Sequence, residues 1–164
     1  MAPTPALLSF DAVVAAPFGH IGVRVADGLV AETLYLPVSI RAQAPQSPLA
    51  REVVRQIRAY LRDPAQRFDL PLMPRGSDFQ RRVWAEIAAI PSGRTLTYGD
   101  VARRIRSGPR AVGGACGANW FSLLIPCHRV LAANGLGGFG DAGGDGLYLN
   151  IKRWLLAHEG VDVA

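Results

Sequence analysis
The chain has 164 residues, 49% of them hydrophobic and 19% charged, with a net charge of +5 and a pI near 9.9. That is enough chain for one ordinary domain or two small ones with a real core, and it excludes a disordered protein. Two cysteines, Cys116 and Cys127, exclude a disulfide framework and a Cys-rich zinc site in the N-terminal half, and no apolar run approaches a membrane span. The reading is a cytoplasmic protein with reduced thiols and no membrane partner. Its positive field favours a polyanion. Lys152 is the only lysine, and an arginine bias suits phosphate contact, although a GC-rich genome produces the same bias.

Residues 7–36 read as strands. Ile21, Val23 and Val25 alternate with Gly22, Arg24 and Ala26, and Asp27-Gly28 is a two-residue hairpin signal. After a polar loop with three prolines, Leu49, Val53, Ile57, Tyr60 and Leu61 recur at helical spacing. Arg51, Arg55, Arg58 and Arg62 fall on the other faces, as a solvated surface in preference to a phosphate stripe. Asp69 to Arg75 is the best candidate linker.

From Ser77 the pattern changes to short helices. Ser77-Asp78-Phe79-Gln80 has capping-box form, with Phe79, Val83, Ile87 and Ile90 as the buried stripe. Pro91-Ser92-Gly93 stops that helix. Thr97 caps a second one, with Val101, Ala102 and Ile105 inward, and a third runs from Arg110 to about Ala118. Two helices joined by a tight turn outline a helix-turn-helix. The third helix carries Gly113, Gly114 and Gly117, each worth about 1 kcal/mol against alanine, so close approach to another surface should compensate. Another helix and a nucleic-acid groove are both open as that surface.

The run Leu123 to Val130 brings Cys127 between Pro126 and the pair His128-Arg129, at the end of what reads as a buried strand. Two neighbouring cations favour a thiolate nucleophile, and a buried structural cysteine explains these residues equally well. Gly135 to Gly140 spells G-x-G-x-x-G, but too little chain follows for a βαβ unit, so a loop closing over Cys127 is the better reading. A last amphipathic helix carries Leu147, Ile151, Trp154 and Leu155 inward and ends with Gly160 in the C′ position.

Ile125-Pro-Cys-His-Arg-Val130 resembles the active-site signature of the O6-alkylguanine-DNA alkyltransferases. The likeness continues, in the family's order, through Phe79-Gln80, Val83-Trp84, Ile90-Pro91, Thr97-Tyr98, Arg110-Ala111-Val112-Gly113, Asn119 and Lys152 to Glu159. It covers about residues 76–160, and more loosely Gly19 to Gly22. The resemblance implies an α+β protein. Residues 1–75 would form a ribonuclease-H-like sheet domain, and 76–164 a mainly helical, winged helix-turn-helix-like domain for DNA binding and alkyl transfer.

The implied activity is repair by direct reversal, moving an alkyl group from O6-alkylguanine in double-stranded DNA to a cysteine, once per molecule. No cofactor or metal is implied, and the protein would act as a monomer able to bind cooperatively along DNA. By position, Cys127 resembles the acceptor, His128 its base acting through water, and Glu159 the carboxylate that orients the histidine. Tyr98 resembles the residue that turns out the nucleotide and protonates guanine N3. Arg110 resembles the finger that fills the gap in the stack, and Asn119 the residue linking helix and active-site strand. Gln80, Gly99 and Ala133 match DNA-backbone contacts, and Cys127, Val130 and Gly140 the guanine-edge pocket.

There are departures. The Tyr98–Arg110 segment is shorter than in familiar members, which puts the helix-turn-helix turn in question. Trp120 stands where many carry proline, Phe139 where tyrosine is common, and the 141–149 stretch is longer. Cys116 reads as structural. The competing reading is an alkyltransferase-like protein that binds the lesion without removing it, but such proteins carry tryptophan at the acceptor position.

Overall fold
A computed structural model describes residues 9–137 and 146–162. The chain divides into two compact units, Met1–Met73 and Pro74–Ala164.

In the first unit, β1 (Ala12–Ala16), β2 (Gly19–Ala26) and β3 (Leu29–Leu36) form an antiparallel sheet in that order, followed by α1 (Pro48–Arg62). Asp27 and Gly28 both have positive φ, 53° and 73°. This is the type I′ geometry that matches the strands' twist and that Asp-Gly accommodates. Ser47 caps α1 by accepting from Ala50 N at 3.1 Å, with Pro48 at the first helical position. Val53, Val54, Ile57 and Tyr60 are buried beneath it, while Arg51, Arg55, Arg58 and Arg62 are exposed.

The stretch read as a linker is partly docked. Gln56, buried in α1, donates to Asp69 O and accepts from Asp69 N, at 3.0 and 2.8 Å. Val30 N donates to Pro71 O and accepts Met73 N on its carbonyl, both at 2.8 Å. Backbone pairing, invisible in a two-proline segment without periodicity, holds it to β3.

In the second unit come α2 (Asp78–Ala88), β4 (Leu96–Thr97), α3 (Tyr98–Ile105) and α4 (Pro109–Gly117). A short 3₁₀ turn (Cys127–Arg129), β5 (Val130–Leu131) and α5 (Leu147–His158) follow, and β4 pairs parallel to β5. Both capping boxes form, Ser77 with Gln80 and Thr97 with Asp100. Val83, Trp84, Ile87, Val101, Ala102, Ile105, Val112, Ile151 and Leu155 build the core. Phe79, Leu147 and Trp154 are only half-buried. Gly160, φ +80°, sits just past the end of α5, and Val161 N closes on Leu156 O at 2.8 Å.

The helix-turn-helix turn is complete despite its shortness. Arg106 takes the left-handed conformation, φ 57°, Ser107 N reaches Ala102 O at 2.8 Å, and Pro109 opens α4. Arg82 Nη2 donates to Ile105 O at 2.7 Å and satisfies a carbonyl at the end of α3. Among the described residues no helix is long and apolar enough to cross a membrane.

Candidate active site
The site begins where α4 ends. Asn119 Oδ1 accepts from Phe121 N at 2.9 Å, and its Nδ2 donates to Ile125 O at 3.0 Å and lies 3.4 Å from Cys127 Sγ. One side chain thus gathers the loop and aims a donor at the sulfur. Because Asn119 takes those backbone groups and Leu123 has φ 73°, residues 123–125 are a buried turn and not the strand expected from their apolar run. Pro126, at φ −82° and ψ 67°, is an inverse γ-turn in which Cys127 N donates to Ile125 O at 2.8 Å. That corner starts the 3₁₀ turn and places Cys127 and His128 in the interior, 5% and 0% exposed.

His128 Nε2 donates to Glu159 Oε2 at 2.7 Å. A carboxylate only accepts, so Nε2 carries the ring proton and Nδ1 offers its lone pair. Nδ1 is buried and has no hydrogen-bond partner among the described residues. Burial holds the His128 pKa below its ordinary value, against the pull of Glu159 and with help from Arg129 and Lys152. The imidazole is therefore neutral and able to take a proton.

Arg129 does not face the thiol as its place in the sequence suggested. Its Nε and Nη2 donate to Glu159 Oε1 and Oε2, at 2.8 and 3.0 Å, and its Nη1 to Ile90 O at 2.6 Å. In a turn with three residues per repeat, adjacent side chains diverge.

The sulfur's own neighbours are different. The Cys116 and Cys127 side chains interact, which lowers the Cys116 pKa and, with burial, pushes the Cys127 thiol well above the ordinary value. Asn119 and Lys152 act the other way on Cys127. Cys116 is therefore an electrostatic neighbour of Cys127 as well as a packing residue.

Lys152, given no role from its sequence position, is fully buried. Its Nζ donates to Val130 O at 2.8 Å and lies 5.8 Å from the centre of the Tyr98 ring. Burial lowers its pKa to about 8. Tyr98 opens α3, and burial followed by the two cysteines raises its pKa, so its hydroxyl carries its proton at rest and is available as a donor. No local sequence pattern marks that burial, and lysine is almost never fully buried unless paired.

The remaining expected residues are more spread. Arg110 is exposed near the start of α4, Gly99 is half-exposed in the first turn of α3, and Ala133 is exposed just after β5. Gln80 spends its side-chain oxygen on Ser77 N at 3.0 Å, so only its amide nitrogen is left for a further contact. Val130 N is committed to Cys127 O. At the edge of Val130 and Cys127, then, the second lone pairs of the two carbonyls are what a ligand could use. Gly140 and Phe139 lie outside the described residues, with most of the loop expected to close over the site. A cleft of about 600 Å³ runs beside Thr97, Asp100, Leu131 and Ala133, and neither Cys127 nor Tyr98 lines it.

Fold and site together define a helix-turn-helix domain whose glycine-rich helix leads directly into a buried cysteine backed by a His–Glu–Arg cluster. Residues 78–161 match the DNA-binding domain of the 6-O-methylguanine DNA methyltransferases. The methylated-DNA–protein-cysteine methyltransferase of Methanosarcina mazei is 42% identical over 112 residues, 66% of this chain and 67% of that one. The Mycobacterium tuberculosis protein of the same name is 44% identical over 109 residues, 65% and 62% of the two chains.

Among solved structures, the M. tuberculosis O6-methylguanine methyltransferase superposes with a TM-score of 0.73 at 32% identity, covering 90% of each chain. The same organism's OGT in complex with DNA gives 0.71 at the same identity and coverage. The chain belongs to the 6-O-methylguanine DNA methyltransferase family.

Proposed function
We propose that this protein repairs DNA by moving the alkyl group of O6-alkylguanine onto Cys127. The observation that carries the reading is the unpartnered, buried Nδ1 of His128 behind Cys127, with Nε2 tied to Glu159. A histidine so held has one free base position, which suits taking the Cys127 proton through a bridging water. The step balances simply. The Cys127 proton passes to Nδ1, the thiolate attacks the alkyl carbon, and the carbon–oxygen bond breaks with its electron pair going to guanine. Tyr98 hands its proton to guanine N3 as that charge develops. Glu159 orients and compensates the imidazolium, and Arg129 fixes that carboxylate in place. Thiol and alkyl group are both reactants, so no cofactor enters.

The target carbon sits in the stack, so the nucleotide must be extruded for a few kcal/mol, and Arg110 fills the space it leaves. Positive charge and the smooth face of α4 supply affinity independent of sequence. The partner is double-stranded DNA holding the lesion, met by a monomer.

Cys116 does not turn the protein into a catalyst. An alkyl group on sulfur in a neutral thioether has only a thiolate as leaving group, so a second thiol beside it cannot remove it under mild conditions. One turnover per molecule is the outcome. Incubation with a duplex containing O6-methylguanine, followed by intact mass and a peptide map, tests the proposal. A single methyl gained on the Cys127 peptide supports it. Binding with no gain in mass defeats it and favours a lesion-binding protein.

A further inference from the structure
Four arginines of α1, Arg51, Arg55, Arg58 and Arg62, are exposed. At 3.6 residues per turn they fall within an arc of about 60° and make a line about 16 Å long, opposite the buried Val53, Ile57 and Tyr60. Spacing alone reads such a line as solvated surface. Its surroundings and its cost to the helix argue otherwise.

Every arginine of α2 and α3 has a partner. Arg81 faces Asp78 and Arg104 faces Glu86, both at 3.8 Å, Arg103 bonds Asp100, and Arg82 donates to Ile105 O at 2.7 Å. In α1 only Arg55 is so placed, donating to both carboxylate oxygens of Glu52 at 2.8 and 2.5 Å. Arg51, Arg58 and Arg62 have no carboxylate and no side-chain hydrogen bond among the described residues. Asp63, at the end of the helix, spends an oxygen on Ala65 N at 3.0 Å. Like charges three and four residues apart on a helix repel. Arg51 also stands near the positive end of the helix dipole, where the first turn holds no acidic residue. The row is therefore unfavourable for the free chain, and a row of anions from outside would compensate it.

We infer that Arg51, Arg58 and Arg62 form a second, sequence-independent contact with the phosphate backbone of duplex DNA, in the unit that does not hold Cys127. An even line of one cation matches an evenly spaced anion. Phosphates recur about every 3.4 Å along each strand, so the line spans about five of them. Guanidinium forks take phosphate oxygens in pairs, and such contacts hold a protein on a duplex without reading its bases. DNA is the fitting polyanion because residues 78–161 of the same chain match a DNA-binding domain. A second weak contact joined to the first by one chain raises avidity without tighter binding at either. This inference rests on the DNA-repair reading above and extends it to a unit in which that reading places no contact.

The experiment compares the full-length protein with two combined variants, Arg51→Gln/Arg58→Gln/Arg62→Gln and Arg51→Lys/Arg58→Lys/Arg62→Lys. Binding to a long unmodified duplex is followed across a salt series, and alkyl transfer is measured from O6-alkylguanine supplied as the free base. The glutamine variant should lose about two to three from the salt slope, close to 0.9 for each phosphate contact removed. The lysine variant should keep the slope, and free-base transfer should be the same in all three proteins. A short duplex that fills only the lesion site separates two sources of phosphate. A difference confined to the long duplex places the row on the flank of the same DNA. A difference seen when labelled duplex is added to protein already saturated with the short one places it on a second DNA.

An unchanged slope in the glutamine variant overturns the inference, and if that variant has instead lost binding to vesicles of acidic phospholipid, the row belongs to a membrane surface. Equal losses in the glutamine and lysine variants also overturn it, since charge would not be the cause. Thermal denaturation supplies an independent check. Removing the repulsion should leave the midpoint of the glutamine variant unchanged or raised, and a lowered midpoint would mean that the row already has a counter-charge within the protein. The repair reading fails by a separate result, a wild-type chain that takes no alkyl group from duplex or free base while the salt slopes still differ.

Discussion
His128 Nε2 and Glu159 Oε2 meet at 2.7 Å with neither side chain exposed to water. The same carboxylate accepts two bonds from Arg129 and a longer one, 3.4 Å, from Gly93 N. Glu159 is therefore both the anchor of the imidazole and the counter-charge of a largely buried guanidinium. Replacing it by glutamine keeps the shape and removes the charge. Breaking a buried pair from one side typically costs about 3–5 kcal/mol, and losing an oriented base reduces a proton-transfer step by about 10²–10⁴. Glu159→Gln should show both losses, read as a lower denaturation midpoint and a slower single-turnover methyl transfer on the folded protein. A transfer rate within threefold of wild type would remove Glu159 from the mechanism.

Much of this arrangement is legible in the sequence where local chemistry decides it. Ser77 with Gln80, Thr97 with Asp100, Asp27-Gly28 and Gly160 each mark an element boundary, because caps and positive-φ turns are set within a few residues. The site was legible only through the family's signature. Cation flanking suggested that His128 and Arg129 both serve the thiol, but the 3₁₀ turn sends Arg129 to Glu159, thirty residues on in sequence. The strand expected at 123–125 is a turn because the Asn119 side chain claims its backbone partners. Burial of Lys152 and the meeting of Cys116 with Cys127 depend on how α4 and α5 pack around the turn, and no local pattern encodes that.

Cys116 is the first cause of the raised Cys127 pKa. Removing it should make the acceptor easier to ionise. In Cys116→Ala the pH profile for alkylation of Cys127 by a small haloacetamide, followed by peptide mapping, should move to lower pH. Removal of the Asn119 donor should move it the other way. Coincident profiles for wild type and Cys116→Ala would mean that burial alone holds the thiol up.

The buried ammonium of Lys152 gives a pH signature of its own. Its pKa falls from 10.5 to about 8 on folding, so between those values the unfolded chain holds a proton that the folded one has released. Stability then rises with pH across that window, by about 3 kcal/mol for a shift of this size, and the burden is fully present below pH 8. Lys152→Met lacks the titration. Urea denaturation should show the stability of wild type, relative to this variant, improving between pH 7.5 and 9.5. A difference that stays flat with pH would show that the ammonium is not destabilised by its burial.

The glycines of α4 separate the two surfaces that could have called for them. Helix packing would require the missing side chain, yet a Cβ at Gly114 meets nothing within 4 Å. Gly114→Ala should therefore stabilise the protein, by about 1 kcal/mol from helix propensity alone. If the bare track exists for DNA, the same methyl group stands in the groove and slows transfer from a duplex several-fold relative to transfer from the free base. Thermal denaturation and the two transfer rates measure both effects on one variant. Stabilisation with an unchanged ratio of rates would take α4 out of the DNA interface, and destabilisation would mean that the open face is covered by protein.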